Sequence, residues 1–191
     1  YIFRECESGH LQHLYYGRKI HADAQVLCEK HVSIPGNTNI YSPDFNNFSL
    51  EDMCLEMSSW GKGDIREPFI EVSHADGSST SDFLFESSKI TLGKEESETL
   101  PGSYDEDGNV GHLTVILKDS NYNLKLELHY YVYEKCDVIA RSARLLNESD
   151  ETVQIKRLMS TQLDFDMETL VCTTFLSLIH ISEPTRPEPI S

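Results

Sequence analysis

The amino-acid sequence predicts an all-β fold of antiparallel strands. Three observations lead there: apolar and polar residues alternate with period two, turn residues punctuate the chain at short intervals, and helical periodicity is almost absent. The alternation is clearest where Leu124, Leu126, Leu128 and Tyr130 share one face against Lys125, Glu127 and His129 on the other. Leu113, Val115 and Leu117 repeat it just upstream, as half-buried antiparallel strands do.

In chain order, the first expected strand is Leu11–Tyr16. Phe69–His74 follows Pro68, with Ile70 and Val72 set against Glu71 and Ser73, and ends at the turn signal Asp76-Gly77. Asp82–Leu92 comes next. The turn signals Asp107-Gly108 and Asp119-Ser120-Asn121 bracket the strand around Leu113–Leu117. Cys136–Asn147 is expected to end in a turn over Asn147 to Asp150, before a last strand over Thr152–Phe165. Consecutive strands joined by short turns make a β-sandwich rather than βαβ units, and strands of about ten residues favour large sheets. The longest irregular piece, His31 to Asn47, is rich in Asn, Pro and Ser; a loop of that length in a compact domain is commonly functional or disordered.

Composition narrows the partners. With 32 acidic against 16 basic residues the formal charge is −16, and no basic stripe exists to displace phosphate counterions, so nucleic acid is disfavoured. An anionic membrane surface is disfavoured for the same reason. The five cysteines (Cys6, Cys28, Cys54, Cys136 and Cys172) are scattered, with no CxxC or Cys/His ligand spacing; this indicates neither a zinc site nor a disulfide framework. Reduced, mostly buried thiols in a cytoplasmic protein are expected, and no bilayer-spanning stretch or signal peptide is recognised. No cofactor and no metal is expected. After about Phe175 the chain changes character. Residues 176–191 carry three prolines among the last eight residues and read as a non-native tail, from sequencing-adapter read-through, so 1–175 is taken as the domain.

Few residues stand out for chemistry. His10 and His13 would point to opposite faces of a strand and so could not chelate one ion. Asp164, Asp166 and Glu168 recur at spacing two; paired carboxylates are what glycoside hydrolysis uses, although such a row on a strand is more often solvated charge. Ser58 and Ser59 lack a GxSxG elbow or a His/Asp context, and no phosphate-binding glycine motif is present. The most informative segment is Ser58–Pro68, with two glycines, the single tryptophan, opposed charges and a proline. It reads either as a sugar platform, with the Trp60 face against C–H groups and Asp64 and Arg66 binding hydroxyls, or as a Trp packed under a turn whose Asp64 and Arg66 pair with each other.

These landmarks together resemble the amino-terminal β-domain of bacterial α-galactosidases of glycoside hydrolase family 36. The ordered set is Gly9-His10-Leu11-Gln12-His13-Leu14-Tyr15-Tyr16-Gly17, Tyr41-Ser42-Pro43, Phe48-Ser49-Leu50-Glu51, Ser58–Pro68, Asp76-Gly77-Ser78, Asp82-Phe83, and Leu100-Pro101 followed by Tyr104. Leu126–Tyr131, Asp137-Val138-Ile139-Ala140-Arg141-Ser142 and Leu163-Asp164-Phe165 complete it. Departures are small: Trp60 and Ile65 stand where tyrosine is common, and Gly102-Ser103 replaces a more usual Ala-Thr. The resemblance implies an incomplete, galactose-mutarotase-like β-supersandwich. It also implies a parent enzyme that hydrolyses terminal α-linked galactose from raffinose- and melibiose-type oligosaccharides with retention, using barrel aspartates that this chain lacks. The fragment itself would then be inactive, with no catalytic residue of its own.

Family members often form homotetramers in which a loop of this domain reaches a neighbour's active site. By position the loop from Gly36 to Asn47 is the counterpart, offering Asn37, Asn39, Asp44 and Asn46 to sugar hydroxyls, with an asparagine where relatives carry an arginine. The competing readings are a stand-alone carbohydrate-binding β-module and a related enzyme such as an α-N-acetylgalactosaminidase.

Overall fold

The protein's structure, a computed structural model, describes residues 1–21, 24–28, 40–46, 49–95 and 103–164. Among the described residues eight strands run in order: β1 (Ile2–Glu5), β2 (Leu11–Tyr15), β3 (Ile70–Ser73), β4 (Phe83–Leu92), β5 (Gly111–Asp119), β6 (Leu124–Tyr133), β7 (Val138–Asn147) and β8 (Gln154–Leu158). Short 3-10 turns occupy Ala24–Leu27 and Glu134–Cys136. No described helix is long and apolar enough to cross a membrane.

The pairings between the described strands are antiparallel. β4-β5-β6-β7 form a four-stranded meander, while β1 pairs with β2 and β3 with β8. Register sets the faces: Leu117 lies opposite Leu126, Val115 opposite Leu128 and Leu113 opposite Tyr130. Because side chains alternate across a strand, these residues share the inner face. They pack there against Leu11 of β2, Met57, Phe69, and Ile70 and Val72 of β3, so the meander closes over the two small sheets in one core. A second cluster joins Cys6, Leu50, Met53 and Leu55, with Tyr41 against it. The expectation of mostly buried thiols is corrected here. Of the described cysteines only Cys6 is buried, and Cys136 is exposed because its 3-10 turn runs along the surface.

Three element boundaries differ from the sequence reading, each for a local reason. β1 escapes notice because its four residues, Ile-Phe-Arg-Glu, do not alternate; pairing to β2 makes it a strand. The strand expected from Cys136 starts two residues later, since Asp137 takes a left-handed conformation (φ 52°) that closes the preceding turn, as Asp tolerates. Of the strand expected over Thr152–Phe165, the described residues, which end at Asp164, form β8 alone. The last ladder bond runs from Met159 N–H to the Phe69 carbonyl, and side-chain tethers described below replace the ladder up to Asp164. The proposed tail, 176–191, lies outside the described residues.

Candidate functional site

The Ser58–Pro68 segment is held at its base by main-chain bonds. Trp60 N–H donates to the Ile70 carbonyl (3.1 Å) and Ile70 N–H to the Ser58 carbonyl (3.1 Å). Gln162 Oε1 accepts from both Ser58 N–H (3.1 Å) and Ser58 Oγ (2.9 Å). Gly61 must be glycine: its φ is 87°, and a Cβ there would meet Thr80 Oγ1 at 2.6 Å.

Within the loop, Asp64 and Arg66 pair directly, Arg66 Nε donating to Asp64 Oδ1 at 2.8 Å. The guanidinium also reaches Asp164 Oδ2 (2.8 Å) and the carbonyls of Met53 (2.6 Å) and Leu50 (3.2 Å). Burial opposes the Arg66 charge, but Asp64 and then Asp164 outweigh it and raise its pKa. Asp164 therefore serves as an Arg66 partner beyond the end of β8, not as one of a row on a strand face; Asp166 and Glu168 lie outside the described residues. Trp60 is 47% exposed and Ile65 84%.

Around this loop lies a buried carboxylate that entered the sequence reading only as part of the Asp82-Phe83 landmark. Asp82, 3% exposed, accepts from Tyr41 Oη (2.8 Å), faces His10 Nε2 at 3.2 Å and pairs with Lys62 Nζ at 3.1 Å. Lys62 also sits 4.9 Å from the Tyr41 ring centroid. Asp82 thus ties the Trp60 loop, through Lys62, to segment 40–46, through Tyr41. That segment makes a turn in which Phe45 N–H donates to the Ser42 carbonyl (3.0 Å), leaving Asp44 and Asn46 exposed; Asn37 and Asn39 lie outside the described residues. Ser8 Oγ stands 2.9 Å from His10 Nδ1, completing a Ser–His–Asp series. It is not a nucleophile site, because Ser8 is buried and the adjoining Gly9 N–H is spent on the Cys6 carbonyl.

Burial alone would raise the Asp82 carboxyl. Hydrogen bonds from His10 and Tyr41, the His10 charge and the Lys62 bond outweigh burial and hold it below its usual range. The folded-state value is therefore lower than the unfolded one. Its contribution to stability is complete above about pH 4 and is lost as pH falls through the folded value. Asp82→Asn is expected to lower stability at neutral pH and to flatten the acid limb of a stability–pH profile measured by urea unfolding. An acid limb as steep as that of the parent would exclude Asp82 as its source.

The second buried carboxylate, Glu56, is fully enclosed. Tyr1 Oη donates to it at 2.6 Å, Tyr130 Oη at 2.8 Å and Arg141 Nη2 at 2.6 Å, with His13 Nδ1 at 3.4 Å. Burial, and then the Glu56 charge, push both tyrosine hydroxyls far above their ordinary range, so they remain donors. The only signal in the sequence is a lone acid between Leu55 and Met57. His10 and His13, three apart, serve different carboxylates.

The described residues thus offer braced, charge-saturated clusters. A cleft of about 500 Å³ is lined by Lys94, Tyr131, Arg141, Ser142 and Leu158 among others, with Glu95 as the one carboxylate among its described lining residues. No group of three or more described His, Cys, Asp or Glu side chains is gathered to hold a metal ion.

Comparison with known proteins matches this arrangement to one family. Residues 9–176 match the glycosyl hydrolase family 36 N-terminal domain. Alpha-galactosidase AgaA of Geobacillus stearothermophilus is 30% identical over 168 residues, which are 86% of this chain and 23% of that enzyme. The bifunctional alpha-galactosidase/sucrose kinase AgaSK of Mediterraneibacter gnavus is 32% identical over 82% of this chain and 17% of its own length. Among solved structures, the Lactobacillus brevis alpha-galactosidase superposes with a TM-score of 0.79 at 30% identity, over 85% of this chain and 22% of that one. The Geobacillus AgaA complex with stachyose gives 0.80 at 29% identity, over 87% of this chain and 23% of that one. The chain therefore spans about a fifth of the length of these relatives. Its all-β antiparallel build is that of their amino-terminal sandwich domain, and the chain belongs to glycosyl hydrolase family 36, within that family's amino-terminal domain.

Proposed function

We propose that this chain is the amino-terminal part of a cytoplasmic, retaining α-galactosidase that removes terminal α-linked galactose from raffinose- and melibiose-type oligosaccharides. The catalytic carboxylates lie on a barrel outside this chain, and this domain shapes the substrate pocket and supports a homotetramer. The activity is supported by similarity to α-galactosidases over most of the chain, one of which is solved with raffinose. The division of labour rests on one observation. Arg66 spends its donors on Asp64, Asp164 and two carbonyls, so the loop's charges hold its shape, while Trp60 and Ile65 remain exposed for contact.

Galactose release is the test. The 191-residue chain alone should release none from raffinose or melibiose, whereas the longer protein of which it forms part should hydrolyse both. Turnover by the chain alone would overturn the assignment of catalysis to sequence outside it. A longer protein inert on both sugars would sink the activity itself.

A further inference from the structure

On the outer face of the meander, away from the hydrophobic core, β5 and β6 bring two histidines together. His112 lies opposite Tyr131 and Thr114 opposite His129, so the histidines are diagonal neighbours across the strand pair. His112 Nε2 and His129 Nδ1 are 3.0 Å apart, and Thr114 Oγ1 stands 3.0 Å from the first and 3.4 Å from the second. Three donor atoms thus form a small triangle. Zinc–nitrogen bonds are about 2.0–2.1 Å, and two ligands at that distance, spread by an octahedral or tetrahedral angle, are separated by about 2.8–3.4 Å. The triangle has the dimensions of one face of such a coordination shell.

The far nitrogens are equally placed. His129 Nε2 faces Glu127 at 3.6 Å, and Glu127 is steadied by Arg144 at 3.7 Å. His112 Nδ1 faces Thr91 Oγ1 at 3.3 Å and Glu95 at 4.0 Å. A carboxylate near the far nitrogen of a metal-bound histidine raises the basicity of its imidazole. The His112 ring is fixed by stacking on Tyr131, centroids 4.2 Å apart, and is almost fully buried. Lys94, 4.8 Å from the Tyr131 ring centroid, and Lys89, opposite Thr114, oppose a cation; Glu95 and Glu127 offset them.

We propose that this face carries a site for one borderline divalent transition-metal ion (zinc, copper(II) or nickel), bound by His112 Nε2, His129 Nδ1 and Thr114 Oγ1, with water completing the shell. Without a cation, the His112 Nε2 proton bridges to His129 Nδ1. On binding, that proton moves to His112 Nδ1, where Thr91 Oγ1 accepts it, a change of tautomer with no net proton release. The two imidazole nitrogens suit these ions and not magnesium or calcium, which take oxygen shells.

The test is copper(II) titration of the full 191-residue chain, followed by calorimetry and electron paramagnetic resonance. One ion per chain with two nitrogen ligands is expected. His129→Gln should abolish that stoichiometric site, and Glu127→Gln, which removes no ligand atom, should weaken it by about 10-fold. In the unsubstituted chain, copper should broaden the ring signals of His112 and His129 before those of the other histidines, a readout independent of how the variants fold. Equal affinity in His129→Gln, or broadening that begins elsewhere, would show that the pair holds a shared proton only and would overturn the site.

Discussion

Glu56→Ala is expected to lower folding stability by about 3–5 kcal/mol, the cost of breaking a buried ion pair from one side. The carboxylate is completely enclosed, and its loss strands Arg141 with no anion while Tyr1 and Tyr130 lose their acceptor. A buried donor without a partner carries its full desolvation cost, so the effect exceeds the loss of any single bond. Urea unfolding measures it. The companion double variant Glu56→Leu with Arg141→Met should lose less than Glu56→Ala alone, because no uncompensated charge remains. A Glu56→Ala loss below about 1 kcal/mol, the size of an ordinary exposed ion pair, would mean that water reaches the cluster.

Arg66→Ala should follow at about 2–3 kcal/mol, since one side chain joins three pieces of chain. Asp64, 2% exposed at its side chain, would keep a charge with no cation, and the Leu50 and Met53 carbonyls would lose their donor. The Asp164 tether would be lost while the Gln162–Ser58 tether remains, and the Arg66–Asp164 pair, being partly solvated, contributes less. Hydrogen exchange should report faster opening in residues 49–53 and in the stretch after β8, with the β5–β6 ladder unchanged. Arg66→Lys should recover only part of the loss, because an ammonium cannot span the fork of partners that a guanidinium reaches. Uniform acceleration across the meander would contradict a local brace.

The strands were legible because the pattern that predicts them is the pattern that buries them. Leu124, Leu126, Leu128 and Tyr130 alternate in sequence and line the core in space. Loop landmarks were legible as a family signature, and the Asp64–Arg66 pairing was one of two readings open from their proximity. The Glu56 and Asp82 clusters were not. Their members come from as far apart as Tyr1, Glu56, Tyr130 and Arg141, or His10, Tyr41, Lys62 and Asp82, and only the folded sheets bring them together. Nor did spacing pair His112 with His129, because a diagonal contact depends on the β5–β6 register. Short-range periodicity reports which face is buried; it carries no information about polar groups that meet only after closure.

The Tyr1–Arg141 bond spans 140 residues of sequence, and this separation has a consequence during synthesis. At about 5–20 residues per second, the first strand leaves the ribosome roughly 7–28 s before its guanidinium partner exists. Until then Glu56 and Tyr1 are without their cation. β1 is therefore among the last pieces to be locked, and a nascent chain stalled before β7 would leave β1 open to chaperones and proteases.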